Sequence, residues 1–392
     1  MKKAVQFGAG NIGRGFTGQL FSESGFEVVF VDVAADLVSL INERRSYPIR
    51  LAQRDPQTII VQNVRAINGL DIAAVTDGIR TADIICTAVG VNVLSHIAPT
   101  IAAGIQSRCD TDVADPLNII ICENLQNMGP FLKGEVKKTL PEPCHAYLDD
   151  KIGFVESVVG RMVPVMSEDQ KREDPLLVIV EPYKRLPIAR SGIKGSFPRI
   201  AGIEPKDNFQ AYVDRKLYTH NAGHAASAYF GYLKGYEYIY QAMADPQIET
   251  AVRVALAETG EALIKKHGLD PTEHQAHIDD LLARFANVAL GDQVARVGGD
   301  PMRKLGSEDR LVGGAKLAME QGIFPAVLCK AIAAALHFNP ECDPSASKVH
   351  EIVVAKGVRG ALAEISGLAV DSQITTEVVR QYDQVKLGFC KS

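Results

Sequence analysis

No apolar run in the 392-residue chain approaches the roughly 20 residues that a bilayer-spanning helix requires. The opening Met-Lys-Lys-Ala-Val-Gln-Phe-Gly leads into strand and turn residues with no hydrophobic leader or cleavage pattern, so a cytoplasmic protein with no membrane partner is expected. Neither charge sign dominates. Forty-two Lys and Arg stand against 47 Asp and Glu, a net −5, which gives no electrostatic footprint for a nucleic-acid backbone and points instead to a small-molecule partner. The seven cysteines (Cys86, Cys109, Cys122, Cys144, Cys329, Cys342 and Cys390) are odd in number, widely spread and include no Cys-x-x-Cys, a pattern of reduced thiols. Of nine histidines only His220/His224 and His274/His277 lie close together, and the second pair has neither a neighbouring Cys nor i, i+4 spacing to complete a zinc shell, so no metal is expected.

The length fits two or three folding units, and 46% hydrophobic with 23% charged residues is the make-up of an ordinary globular protein. In the first half, residues 3–7, 27–31, 82–89 and 117–122 read as buried parallel strands, short and rich in Val, Ile and Cys, separated by helical patterns. Residues 48–52 and 58–64 read as a hairpin inserted in that sheet. Residues 152–158 and 176–180 add strands, with the charged 167–174 between them as a surface loop. From 183 to 199 the chain carries five cations and no acid, and the boundary is placed there, giving units 1–190 and 191–392. Beyond residue 205 the apolar period becomes helical, over 207–244, 246–267 and 326–337. Asp270-Pro271 marks a helix start, Gly268 a stop, and Asp371 or Ser372 the start of the last helix. The expected fold is α/β, a Rossmann-type doubly wound sheet unit followed by a mostly α-helical unit.

Directly after the first strand comes Gly8-Ala9-Gly10-Asn11-Ile12-Gly13, a G-x-G-x-x-G opening a helix. Its glycines suit a tight turn, close approach of a pyrophosphate and helix-on-strand packing, and the helix N-terminus offers free N–H groups. Asp32 ends the second strand nineteen residues after Gly13, where a carboxylate accepts both ribose hydroxyls and repels a 2′-phosphate, so the expected cofactor is NAD. Thr87-Ala88-Val89-Gly90 and Glu123-Asn124 follow later strands and line the same crevice; Asn124 suits a nicotinamide-side role and a helix cap equally. In the helical half, Lys216, Asn221 and His224 stand at spacings that an α-helix brings towards one point. A buried lysine near other cations loses its proton more easily and serves as a base for hydride transfer, with Asn221 and Asn124 donating to the reacting oxygen and His224 orienting the substrate or sharing the proton. Spacing alone leaves open that Lys216 and His220 face solvent and the others only pack.

Together with Gly15-Phe16, Cys122 and the run from Lys216 to Ala225, these segments resemble the polyol-specific long-chain dehydrogenases. The likeness runs through nearly the whole chain, including Arg303-Lys304-Leu305, Asp309-Arg310-Leu311, residues 333–338 and Ile365-Ser366-Gly367-Leu368. It implies Lys216 as base, Asn221 and Asn124 on the oxygen, no zinc, a monomer, and NAD-linked interconversion of mannitol 1-phosphate and fructose 6-phosphate. Val159-Gly160-Arg161 departs from the family, in which Asp commonly precedes the Arg. A sugar phosphate or polyol phosphate requires cations; Arg296, Arg303, Lys304 and Arg310 are the first candidates, with Lys194 and Arg199 in reserve. Asp300, Glu308 and Asp309 interleave with the first four, so a solvated charged segment is equally open. Two rival readings are a dehydrogenase of an unphosphorylated polyol or sugar acid, and a non-catalytic NAD-binding regulator.

Overall fold

The computed structural model describes residues 1–123, 125–164 and 166–389 and divides into two compact units, Met1–Phe209 and Gln210–Ser392. In the first unit six parallel strands form one sheet: β1 (Lys2–Phe7), β2 (Phe26–Asp32), β5 (Val64–Asn68), β6 (Ile84–Thr87), β7 (Leu117–Ile121) and β8 (Ile152–Glu156). Their order is β5-β2-β1-β6-β7-β8, so the winding reverses between β1 and β6, where open α/β sheets hold their ligands. Successive residues of β1 alternate between faces: Ala4 joins one apolar core and Val5 the other. Helices Ile72–Arg80, Val91–Asp110 and Met128–Thr139 cover the Val5 side through Ile79, Ile101 and Leu132. Leu20, Phe21, Ile41 and Tyr47 cover the other.

Three expectations for this unit are corrected. The hairpin of β3 (Ser46–Leu51) and β4 (Thr58–Gln62) is antiparallel as read, but it joins β9 (Val178–Val180) in a separate three-stranded sheet. Asn63, at φ 58°, breaks the apolar run 58–64, and β5 starts afresh beside β2; Asn tolerates this left-handed conformation, so the break leaves no Gly or Pro in the sequence. The charged stretch near 170 is a short helix, Glu168–Glu173, held by a Ser167/Gln170 capping box. Finally, β10 (Leu186–Ala189) pairs with β11 (Ile203–Lys206), and Ile188 bridges to Ser157 beyond β8, so the cation-rich stretch belongs to the first unit and the division falls at Phe209 rather than near residue 190.

The second unit is helical. The stretch 207–244, expected as long helix, is four pieces: Phe209–Arg215, a π-helical turn Lys216–Asn221, Ala222–Leu233 and Ile239–Ala244. Ala222–Leu233 is the central helix and is buried along most of its length against Pro246–His267, Val294–Gly298 and Ala326–Leu336. Its Gly223 permits that crossing, because a Cβ there would sit 2.9 Å from Leu256. The signals at Asp270, Gly268 and Ser372 act as read: Asp270 accepts from the Glu273 N–H, Gly268 takes φ 64°, and Ser372 accepts from the Thr375 N–H. Among the described residues no helix is long and apolar enough to cross a membrane.

Candidate active site

At the carboxyl end of β1 the chain turns at Gly8, φ 88°, where a Cβ would lie 2.4 Å from the Ala88 carbonyl oxygen in the loop after β6. Gly13 returns onto the same turn; its Cβ would lie 2.0 Å from the Gly8 oxygen. Gly10 meets nothing within 4 Å and leaves the open space that a pyrophosphate needs. Asn11 is exposed and Ile12 half-buried beside it, while Ala9 is buried. Asp32 takes the Ala9 N–H on Oδ2 at 2.8 Å and the Ala34 N–H on Oδ1 at 3.0 Å, and each oxygen keeps a lone pair for a ribose hydroxyl. Glu123 turns inward and accepts the N–H groups of Val89 (3.0 Å) and Gly90 (2.8 Å); it holds the loop after β6 in shape. Thr87 is buried with its hydroxyl unpartnered, and Ala88 and Val89 are half-buried. Asn124 lies outside the described residues. These groups fit an adenine dinucleotide.

Two buried arginines that sequence reading left without a role brace this loop. Arg14 donates to the Ala9 carbonyl at 2.6 Å and to the Leu176 carbonyl at 2.6 Å. Arg161 donates to the Gly15 carbonyl, the Glu181 carbonyl and Gln19, and its guanidinium lies over the Phe16 ring; burial draws its pKa down to about 10. These contacts leave no pattern in the sequence, because most partners are backbone carbonyls, which any residue supplies, and all but Ala9 lie far along the chain.

In the second unit, Lys216 and Asn221 are the two ends of the π turn. On an ideal α-helix, residues five apart stand roughly 140° apart around the axis. A π turn instead closes i→i+5 bonds, here from the Ala222 N–H to the Leu217 carbonyl, and brings such residues towards one face. Asn221 and His224 are then i, i+3 neighbours across the start of the central helix. Burial, reinforced by the charge of Arg310, draws Lys216 down to about 8. The His224 ring stacks on Phe285 at 4.9 Å between centroids, and its Nε2 lies 3.1 Å from Asp292 Oδ2, close to that carboxylate though off the line of a straight hydrogen bond. His220 is buried beside them and held well below the usual histidine range, first by burial and then by Arg284, His224, Lys216 and His277.

The cations expected at a substrate phosphate have different surroundings. Lys304 is buried and donates to the carbonyls of Val297 (2.7 Å) and Gly299, and burial with Arg310 and Arg303 draws it to about 7. Arg303 pairs with Asp300 at 2.8 Å and Asp309 at 3.4 Å, and Arg296 pairs with Asp292. Arg310 bonds Asp309 at 2.8 Å, is largely buried, and is the member of the four whose charge acts on both Lys216 and His224. In the first unit, Arg199 lines a cleft of about 660 Å³ with Lys2, Asp83 and Pro116, and Lys194 bonds Asn118 near the start of β7, both at the sheet end opposite the glycine loop. Asp292 and Phe285 were missed by sequence reading; neither belongs to a local motif.

One group of potential metal ligands converges among the described residues: Cys109, Asp110 and Cys144 have ligand atoms within 4.8 Å of one another. Burial first, then contact with Cys109, raises the Cys144 thiol to about 11, which opposes the proton loss that metal binding requires.

A doubly wound nucleotide-binding unit followed by a helical unit with a half-buried, acidified lysine is the layout of a two-unit oxidoreductase. Residues 2–202 match the mannitol dehydrogenase Rossmann domain and residues 208–386 the mannitol dehydrogenase C-terminal domain. The chain belongs to the mannitol dehydrogenase family. Among solved structures it is similar to Pseudomonas fluorescens mannitol 2-dehydrogenase in ternary complex with NAD and D-mannitol, at TM-score 0.74 and 16% identity over 99% of this chain and 93% of that one. Similarity to a substrate-free D-sorbitol dehydrogenase has TM-score 0.81 and 16% identity over 98% and 94% of the two chains.

Proposed function

We propose that the chain is an NAD-dependent, metal-independent dehydrogenase that interconverts mannitol 1-phosphate and fructose 6-phosphate, the activity of a mannitol-1-phosphate 5-dehydrogenase. The observation that carries it is Lys216, a half-buried amine drawn to about 8 at the head of a π turn shared with Asn221. Near neutral pH such an amine exchanges a proton readily. In the oxidising direction neutral Lys216 takes the proton of the reacting hydroxyl, the hydride leaves the same carbon, and the polyol becomes a ketose. The glycine loop and Asp32 would hold NAD, and NAD would supply the acceptor for that hydride. Asn221 and Asn124 donate hydrogen bonds to the oxygen as negative charge gathers on it, and His224 orients a neighbouring hydroxyl. Arg310 is the first choice to meet the phosphate, supported by its position near Lys216 and His224, with Arg296 and Arg303 contributing charge around it.

A second reading, an unphosphorylated polyol as substrate, is favoured by the internal partners of Arg296, Arg303 and Lys304, and it matches what the two solved relatives are named for. NADH oxidation measured with fructose 6-phosphate, fructose and a sugar acid separates the two. The proposal expects kcat/KM to be highest by at least about a hundredfold for fructose 6-phosphate, the order of effect of removing a phosphate contact network. Preference for free fructose removes the phosphate assignment, and NADH binding without turnover of any sugar favours a regulator.

A further inference from the structure

We infer that Asp292 is a positioning residue that fixes His224 as the Nε2–H tautomer, leaving Nδ1 as a bare acceptor for a substrate hydroxyl. The inference rests on the polyol chemistry proposed above for its functional meaning, but its geometry stands apart from it. Two neighbours restrain the imidazole. Phe285 lies parallel to it, with an interplanar angle of 2°, and so fixes the plane of the ring. Asp292 Oδ2, 3.1 Å from Nε2, then selects which edge of that plane faces which way.

The carboxylate is itself held firmly. Asp292 follows Gly291, at φ 57°, and its carbonyl accepts the Ile239 N–H at 2.9 Å. The next residue, Gln293, bridges to Tyr238, and the Val294 N–H reaches the Glu237 carbonyl at 2.8 Å. Oδ1 pairs with Arg296, so the two oxygens are divided between a guanidinium and an imidazole. The backbone is thus pinned on both sides of the residue, and the side chain is buried.

Charge completes the assignment. Burial pushes the Asp292 carboxyl up, but His224 and Arg296 outweigh it and hold the group below the usual carboxylate range, so it is ionised at neutral pH. Burial lowers His224, and Arg296 and Arg310 lower it further against the pull of Asp292, so the imidazole is neutral there. An ionised carboxylate only accepts, and a neutral imidazole carries one N–H. The nitrogen facing Asp292 therefore carries the proton and Nδ1 does not. A bare nitrogen reads a hydroxyl donor and cannot donate to a ketone, which separates His224 from the proton transfer at Lys216. A buried carboxylate that selects an imidazole tautomer is an established device in hydrolytic triads, where loss of the charge leaves the geometry intact but the tautomer wrong.

The test uses the full chain labelled with 15N-histidine, with the His224 resonance assigned by its loss in His224→Gln. In the unmutated protein near pH 7.5 the expected spectrum has His224 Nε2 protonated and Nδ1 unprotonated; a protonated Nδ1 overturns the proposal. In Asp292→Asn, whose amide can donate as well as accept, the Nδ1–H form should become populated, and kcat/KM for the polyol should fall at least about tenfold with NADH affinity kept. Asp292→Glu should restore the original tautomer and part of the rate. An unchanged tautomer in Asp292→Asn also overturns the proposal. The spectrum of the unmutated protein needs no variant to fold and no turnover, so a protein inactive on every polyol would sink the proposed function while leaving this assignment to be judged on its own signal.

Discussion

In the proposed reaction Lys216 is the residue on which the chemistry turns, and its environment sets the direction of the pH response. An amine drawn down to about 8 by burial and Arg310 is protonated below that value and neutral above it. Polyol oxidation needs the neutral form, so its kcat/KM should climb as pH rises through about 8 and then level off. Ketose reduction needs the ammonium and should decline over the same interval. Replacing Lys216 with Ala should lower turnover at least about a hundredfold, the lower range for an acid–base group, with NADH titration nearly unchanged. A rate profile that keeps its inflection near 8 in that variant would move the titration to another group. At Asp32 the proposed contact is with a ribose rather than a proton. Removing the carboxylate by Asp32→Ala should narrow the ratio of NAD to NADP efficiency, read from kcat/KM with each cofactor, because the repulsion of a 2′-phosphate goes with it. An unaltered ratio would count against the ribose contact.

Between residue and fold lie the glycine turn and the π turn, and they differ in how plainly the sequence displays them. The glycine turn is local: three glycines at fixed spacing after a strand describe a backbone that side chains would block, and the two outer positions meet such blocks at 2.4 and 2.0 Å. That difference makes a paired prediction. Gly13→Ala should lower the melting temperature and NADH affinity together, since the new methyl meets the Gly8 carbonyl. Gly10→Ala has open space and should keep its melting temperature while losing affinity, because the methyl enters the room a pyrophosphate needs. Equal losses of stability in both would contradict this division of roles. The doubly wound order, Asp32 at the end of β2 and the cap at Asp270 were legible for the same reason, each being written in neighbouring residues. The π turn was not, since Lys216–Asn221 has the composition of any polar helix and its extra residue shows only in the hydrogen-bond ladder. The Asn63 break and the pairing of β10 with β11 were hidden too, because an Asn in a left-handed conformation and a parallel pairing across a loop leave no periodic trace. Asp292 and Phe285 reach His224 through the tertiary fold alone.

Over the whole molecule, the second unit carries buried histidines that resist protonation, and this couples its stability to pH. His220 and His224 are held below the usual range, and His274 is drawn to about 4 by burial and by Arg215. His274 is 2% exposed, and neither of its ring nitrogens has a hydrogen-bond partner. With folded-state values below the unfolded value of about 6.5, the unfolded chain binds more protons wherever pH lies between them, so stability is complete above about 6.5 and is lost as pH falls towards 4. For His274 alone the full difference amounts to roughly 3 kcal/mol. Leucine has similar volume, takes no proton and leaves no buried nitrogen unpaired. His274→Leu should therefore unfold at a higher temperature than the unmutated protein at pH 5, with the gap between the two curves narrowing as pH rises to 8. Carboxylates that lose their partners in acid weaken both proteins alike, so the difference between the melting curves isolates the histidine. Curves that run parallel from pH 5 to pH 8 would mean that His274 titrates in the folded chain as it does in the unfolded one, and that its burial is relieved before it is protonated.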